Sequence, residues 1–161
     1  MSAVAWLKSE LEQQGIPYEE LHHFRAFTAQ AVAEREHVGA HRVAKVVIVM
    51  ADGRPVELVL PANRLVVLDR VRELLGAGSV RLATEEEMAR YFRDCEPGAI
   101  PPLRHWGNVD VLMDDSMKVA GNIVFQAGTH CDAITLRFDD WARLVHPRVE
   151  HFSEPAIGTL G

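Results

Sequence analysis

Three stretches of this sequence carry side chains whose type and placement could do chemistry. The first is Lys45, a lone ammonium in the apolar run Val43-Ala-Lys-Val-Val-Ile-Val-Met50. Side chains alternate along a strand, so Lys45 shares a face with Val43, Val47 and Val49, where an unpaired buried ammonium is costly. Two readings stand: a lysine that reaches solvent or pairs with a carboxylate, and the cationic floor of a pocket that receives an anion. The second stretch is residues 95–103, Cys-Glu-Pro-Gly-Ala-Ile-Pro-Pro-Leu. Pro97, Pro101 and Pro102 have no N–H to donate and Gly98 tolerates positive φ, so this is a shaped loop rather than a helix interior or a central strand. Apolar Ala99 and Ile100 are unusual in a merely solvated connection. The loop is either a proline-stiffened linker or a pocket wall. The third stretch is the tight corner Gly128-Thr129-His130, where the imidazole either satisfies turn backbone or faces a site.

Other candidates carry less. His37 and His41 are four apart, a spacing that offers two imidazoles to one metal on a continuous helix, but Gly39 between them breaks that helix and no further ligands stand nearby. Capping and surface roles are expected, with no metal and no cofactor. Cys95 has no ordered His and Asp arrangement to activate it as a nucleophile. The run Glu85-Glu86-Glu87 suits a helix N-terminus.

The elements that position these residues follow from periodicity. Val4, Leu7 and Leu11 make residues 2–14 an amphipathic helix stopped by Gly15, residues 17–24 read as a short strand, and Thr28 caps a second helix to about His37. Residues 42–51 and 55–60 are strands joined by Asp52-Gly53, a type I′ hairpin signal, and the near-continuous apolarity of the first predicts cover on both faces. Residues 63–75 predict a third helix and 80–83 a strand, and Thr84 with Glu87 forms a capping box for a helix over 85–93 that leads into the proline loop. Strands at 109–113, 122–127 and 131–138 follow, with a turn or short helix at 114–119 and a last helix capped by Asp139 and ended near Val145. Residues 1–154 form one domain and 155–161 a loose tail.

At 161 residues, 48% hydrophobic and 25% charged, the chain has room for one real core. The formal charge of −6 argues against a broad nucleic-acid footprint, though not against contact with a nucleic-acid end. No apolar run long enough to cross a membrane and no signal-peptide pattern is present, so a soluble cytoplasmic protein with two reduced cysteines, Cys95 and Cys131, is expected.

Lys45 within Ala-Lys-Val-Val-Ile-Val, the loop Gly98-Ala-Ile-Pro-Pro102, and Phe125-Gln-Ala-Gly-Thr-His130 followed by Asp140-Trp-Ala-Arg-Leu-Val resemble, in order and over essentially the whole chain, the YbaK and prolyl-tRNA synthetase editing-domain superfamily. The resemblance implies an α/β (α+β) fold, a curved, mixed, mainly antiparallel sheet surrounded by helices. It also implies a trans-acting aminoacyl-tRNA deacylase that hydrolyses the ester of mischarged tRNA. Gly98 and Pro102 match the ends of the family's Gly-x-x-x-Pro loop, Lys45 its strand lysine that meets the terminal adenosine, and Gly128 and His130 its Gly-x-His corner. Catalytic roles are thereby implied for Lys45, Gly98 and His130, and substrate contacts for Ala99, Ile100, Pro101, Pro102, Gly128 and Thr129. The implied partners are the aminoacyl-tRNA acceptor end and an aminoacyl-tRNA synthetase or translation factor. An already activated ester needs oriented water and a backbone N–H near the developing oxyanion more than it needs a protein nucleophile.

This chain departs from the family in two places. Leu103-Arg104-His105-Trp106 stands where many relatives have glycine, a bulkier basic segment that narrows the pocket or binds the RNA end, and Val46 stands where some prolyl-specific relatives are polar. The alternative is a catalytically silent module of the same fold that binds an aminoacyl-adenosine end, a nucleotide or a protein.

Overall fold

A computed structural model describes residues 2–22 and 28–156. The elements in chain order are α1 (Ala3–Gln13), β1 (Tyr18–His22), α2 (Ala29–Glu36), β2 (Ala44–Ala51), β3 (Arg54–Pro61), β4 (Arg64–Val66), α3 (Leu68–Leu75), β5 (Val80–Leu82), α4 (Glu85–Tyr91), β6 (Asp110–Asp114), β7 (Asn122–Gln126), β8 (Asp132–Arg137), α5 (Phe138–Val145), β9 (Arg148–Glu150) and β10 (Ser153–Pro155). Short 3-10 turns lie at Ala40–Arg42 and Asp115–Met117.

The principal sheet has the order β5-β2-β3-β6-β9, antiparallel at β5-β2 and β2-β3 and parallel at β3-β6 and β6-β9. A second, antiparallel sheet runs β1-β8-β7, and a bridge between Val43 and Val124 joins its edge to the start of β2. The whole is a curved, mixed α/β sheet system flanked by helices, as the resemblance implied. Asp52 at φ 48° and Gly53 at φ 81° both occupy the left-handed region, which the type I′ turn between β2 and β3 requires.

One face of the principal sheet packs Val49, Leu58, Leu60 and Leu112 against Val71 of α3 and against Phe152. The other packs Val59, Val111 and Met113 against Leu7 and Leu11 of α1 and Trp141 of α5. Cover on both faces explains why β3 is buried along nearly all its length. Ser2 caps α1 through a hydrogen bond from the Ala5 N–H to its Oγ, and the Thr84–Glu87 capping box of α4 is present in both directions.

The sequence reading needs correction in several places. Residues 63–75 are not one helix: Arg64–Val66 is β4, paired with β10, and only Leu68–Leu75 is helical. Arg64 donates to the Ser153 hydroxyl at 2.6 Å and to the Ser153 carbonyl at 3.1 Å, a pairing that local periodicity does not reveal. The same pairing takes Pro155 out of the expected loose tail, and the Ala156 N–H continues it to the Asn63 carbonyl. Residues 157–161 lie outside the described residues, as do His23 and Phe24 of the expected first strand. Arg137, not Asp139, precedes the last helix, whose first turn holds Asp139 and Asp140. His37 ends α2 at φ 54° and His41 sits in the following 3-10 turn, so the two imidazoles do not share a helix.

Candidate functional site

β5 pairs with β2 only from Val49 to Ala51, which leaves the earlier half of that β2 edge open. Against it lies a pocket of about 210 Å³, whose lining includes Lys45, Gly98, Ile100 and Gln126 together with Thr28 and Ala29 at the start of α2. Strand, proline loop and helix entry therefore converge. Lys45 is half-buried, and desolvation pushes its pKa below the usual lysine value. Among the described residues it has no carboxylate or other hydrogen-bond partner.

The proline loop is held rigidly. Gly98 sits at φ 87°, a conformation that L side chains rarely adopt. A Cβ there would face His130, with its Cε1 at 3.4 Å, so the glycine fits the loop over the imidazole beneath it. Gly128 clamps the loop from the other side, its carbonyl accepting from the Glu96 N–H at 2.8 Å and its N–H donating to the Ala99 carbonyl at 2.9 Å. Gly128 is itself at φ 93°, and a Cβ would come within 3.1 Å of Val4 on α1. Farther along, the Trp141 indole N–H donates to the Pro102 carbonyl at 2.9 Å. Ala99, Pro101 and Pro102 are buried and form the body of the loop, whereas Ile100 reaches the pocket.

His130 stands behind this wall, only 5% exposed. Its Nε2 lies 3.0 Å from the Pro97 carbonyl and its Nδ1 3.4 Å from the Gln126 amide nitrogen, so a proton on Nε2 would be donated to that carbonyl. It is not among the lining residues, and it touches the pocket through Gln126 and Gly98. Thr129 shapes the turn, donating to Asp132 and accepting from the Cys131 N–H at 3.1 Å. Of the residues expected at the site, Lys45, Gly98 and Ile100 meet in one pocket. His130 and Gly128 support it, while Thr129 stands apart.

The segment after the loop does not narrow the pocket. Arg104 donates to the Val145 carbonyl at 2.6 Å and the His146 carbonyl at 3.0 Å, closing the C-terminus of α5, and His105 and Trp106 line a separate groove. Cys95 is half-buried, and burial with Asp94 and Glu57 nearby pushes its thiol up to about 12, which removes the thiolate a nucleophile needs. Both cysteines are free thiols. Among the described residues Asp114, Asp115 and His151 converge, but Asp114 already accepts from Ser116, the Phe152 N–H and Ser153.

Three residues were missed. Gln126 had appeared only inside a motif, and Thr28 only as a cap. Glu57, fully buried in β3, makes no hydrogen bond of normal geometry with either carboxylate oxygen among the described residues. Burial pushes its pKa well above 4.5, tempered by the nearby Leu103 N–H and Arg104. An acid inside the run Val56-Glu-Leu-Val-Leu60 is the same signal that marked Lys45.

Comparison with known proteins bears on the fold and the family. A search of curated proteins found no sequence match. Among solved structures, that of a hypothetical protein superposes with a TM-score of 0.82 at 19% identity, covering 92% of this chain and 99% of the other. Another, described as a "putative trans-editing enzyme for prolyl tRNA synthetase", has a TM-score of 0.79 at 18% identity, covering 96% and 99%. At such identities these likenesses show the fold. The family model for the aminoacyl-tRNA editing domain matches residues 23–144, which takes in Lys45, the proline loop and the Gly128–His130 corner, and the chain belongs to that family.

Proposed function

We propose that this chain is a trans-acting deacylase that hydrolyses the ester of mischarged aminoacyl-tRNA, with the terminal adenosine held at Lys45 and the aminoacyl group against the 98–102 loop. The observation that carries the reading is Lys45, a desolvated ammonium without a protein counter-ion among the described residues, lining a small pocket opposite a positive-φ glycine. Such a cation suits a phosphate or ribose oxygen of the substrate. The N–H groups of Gly98 and Ile100 make no hydrogen bond among the described residues, and both residues line the pocket. They are the donors we assign to the developing oxyanion. Gln126, tied to His130, orients water or the substrate carbonyl. His130 acts as a positioning residue that sets Gln126 and the loop, and not as the base.

The described lining offers no carboxylate, cysteine or histidine, which favours a second reading in which the domain binds an aminoacyl-adenosine end without cleaving it. A panel of mischarged tRNAs incubated with the purified chain separates the two. Deacylation of one mischarged species faster than its correctly charged counterpart, dependent on Lys45, supports the enzyme. Stable esters across the panel, with retained binding, refute it in favour of the binding module.

A further inference from the structure

A second groove, of about 730 Å³, opens where the β2–β3 hairpin meets the end of α4 and the segment after the proline loop. Its walls carry Arg54, Tyr91, His105, Trp106 and Asn108. None of its lining residues among those described is acidic, although the chain is acidic overall. Arg54 is exposed and makes no ion pair among the described residues. The aromatic rings are fixed rather than loose: Trp106 packs edge-on against Phe92 with centroids 4.7 Å apart, and its indole N–H donates to Asp94 at 3.1 Å. His105 lies between Trp6 and Trp106, at 5.3 and 5.4 Å. One face of Tyr91 is covered by the Arg90 guanidinium at 5.3 Å. Two of the neighbouring acids are engaged: Asp52 accepts from the Gly78 and Ser79 N–H groups, and Asp94 accepts from the Ala3 N–H and the Trp106 indole and lies 3.9 Å from the His105 Nε2. Asp110, the residue after Val109, is exposed to solvent.

We infer that this groove holds single-stranded RNA, with bases stacked on Trp106 and Tyr91 and a phosphate at Arg54, as the seat for the nucleotides that precede the adenosine in the Lys45 pocket. Half-exposed aromatic faces beside a free guanidinium are the elements from which sequence-tolerant single-strand sites are built. The placement is also continuous with the pocket. Ile48, Phe92, Ile100 and Val109 form one buried cluster on which Trp106 packs; Ile100 lines the Lys45 pocket while Val109 and Trp106 line the groove, so one apolar wall separates the two. Along β2, Lys45 to Met50 spans about 17 Å, and Met50 pairs with Pro55 at the groove. A short unstacked strand bridges that distance. This assignment rests on the deacylase reading for its biological sense, but its chemistry is tested separately.

The probes are adenosine monophosphate and a single-stranded tetraribonucleotide ending in the same adenosine, each titrated into the full chain and followed by NMR. The tetranucleotide is expected to bind at least about tenfold tighter, the gain that one stacked base and one phosphate contact provide, and to shift the Gly53, Gly107 and Trp106 indole signals that the mononucleotide leaves in place. Arg54→Glu, at an exposed position, and Tyr91→Ala should each abolish the gain and leave mononucleotide affinity unchanged. In hydrolysis assays Arg54→Glu should raise KM for mischarged tRNA about tenfold while cleaving a short aminoacyl-adenosine at the wild-type rate. A tetranucleotide that binds no tighter than the mononucleotide, or binds Arg54→Glu as it binds wild type, overturns the groove, and a protein ligand then becomes the occupant to seek. Absence of ester hydrolysis by the wild-type chain would refute the deacylase reading while leaving the titration to decide the groove on its own.

Discussion

Replacing Lys45 by methionine separates a functional ammonium from a structural one, because it keeps the unbranched stem and deletes only the charge. A charge-assisted hydrogen bond contributes about 1.5–3 kcal/mol, so its loss should lower kcat/KM by about tenfold to a hundredfold. If Lys45 grips the adenosine equally in ground and transition states, the loss appears in KM with kcat unchanged. Stability should move the other way. The folded pKa of Lys45 lies below its ordinary 10.5, so the unfolded chain binds more protons between the two values. The penalty for burying the charge is therefore present throughout the neutral range and is relieved only as pH rises toward 10.5. Lys45→Met escapes it, and its Tm should equal or exceed that of wild type, by about 2–4 °C for each kcal/mol gained at this chain length. Steady-state deacylation and thermal unfolding of the same preparation supply both readouts. A fall in Tm, with activity per folded molecule unchanged, would return Lys45 to a packing or snorkelling role.

Gly98→Ala forces a side chain into φ 87° and toward His130, which should cost about 1–2 kcal/mol and lower turnover per folded molecule by distorting the loop, as unfolding and rate measurements together would show. Val47 lies two residues from Lys45 on the same strand face and is half-buried; Val47→Glu should pair with the ammonium and cut deacylation as Lys45→Met does, whereas Val47→Gln keeps it. Because the folded pKa of Glu57 is raised, wild type should lose stability as pH climbs above about 4.5, and Glu57→Gln should flatten that slope in denaturant titrations across pH. If only the acceptor end is held, log affinity for tRNA against log salt should have a slope of roughly −1 to −3, about −0.7 per phosphate, and a much steeper value means that the duplex is gripped as well.

What was legible in the sequence is what local pattern controls. The β2–β3 hairpin, the caps at Thr28 and Thr84, and the helix break between His37 and His41 are set by residues within a few positions of one another. Lys45 and the proline loop stood out because an ammonium and prolines violate the expectations of the elements around them. β4, β9 and β10 were not legible, because they are fixed through partners distant in sequence, such as Arg64 with Ser153. His130 is hard to place from sequence for a related reason: its type suggests chemistry, but only the positions of Pro97 and Gln126 show that its ring lies behind the loop. Gln126 and Thr28 were invisible as pocket residues because neither side chain is unusual for its local position.

The register of β2 and β3 explains how the chain keeps a cation available in its core. Glu57 pairs directly with Ile48, and paired residues project on the same side of a sheet. Ile48 is three positions from Lys45, an odd separation, so Lys45 and Glu57 point to opposite faces of the same strand pair. Two ionisable groups of opposite sign thus sit in neighbouring strands without neutralising each other. A one-residue slip between the strands would reverse the projection of every β3 side chain relative to β2 and bring the carboxylate onto the lysine face. The native register instead buries Glu57 under the proline loop, where desolvation favours its protonated form, and leaves Lys45 at the open strand edge beside Gly98. A salt bridge between them would have neutralised the charge on which the proposed contact with an anion depends.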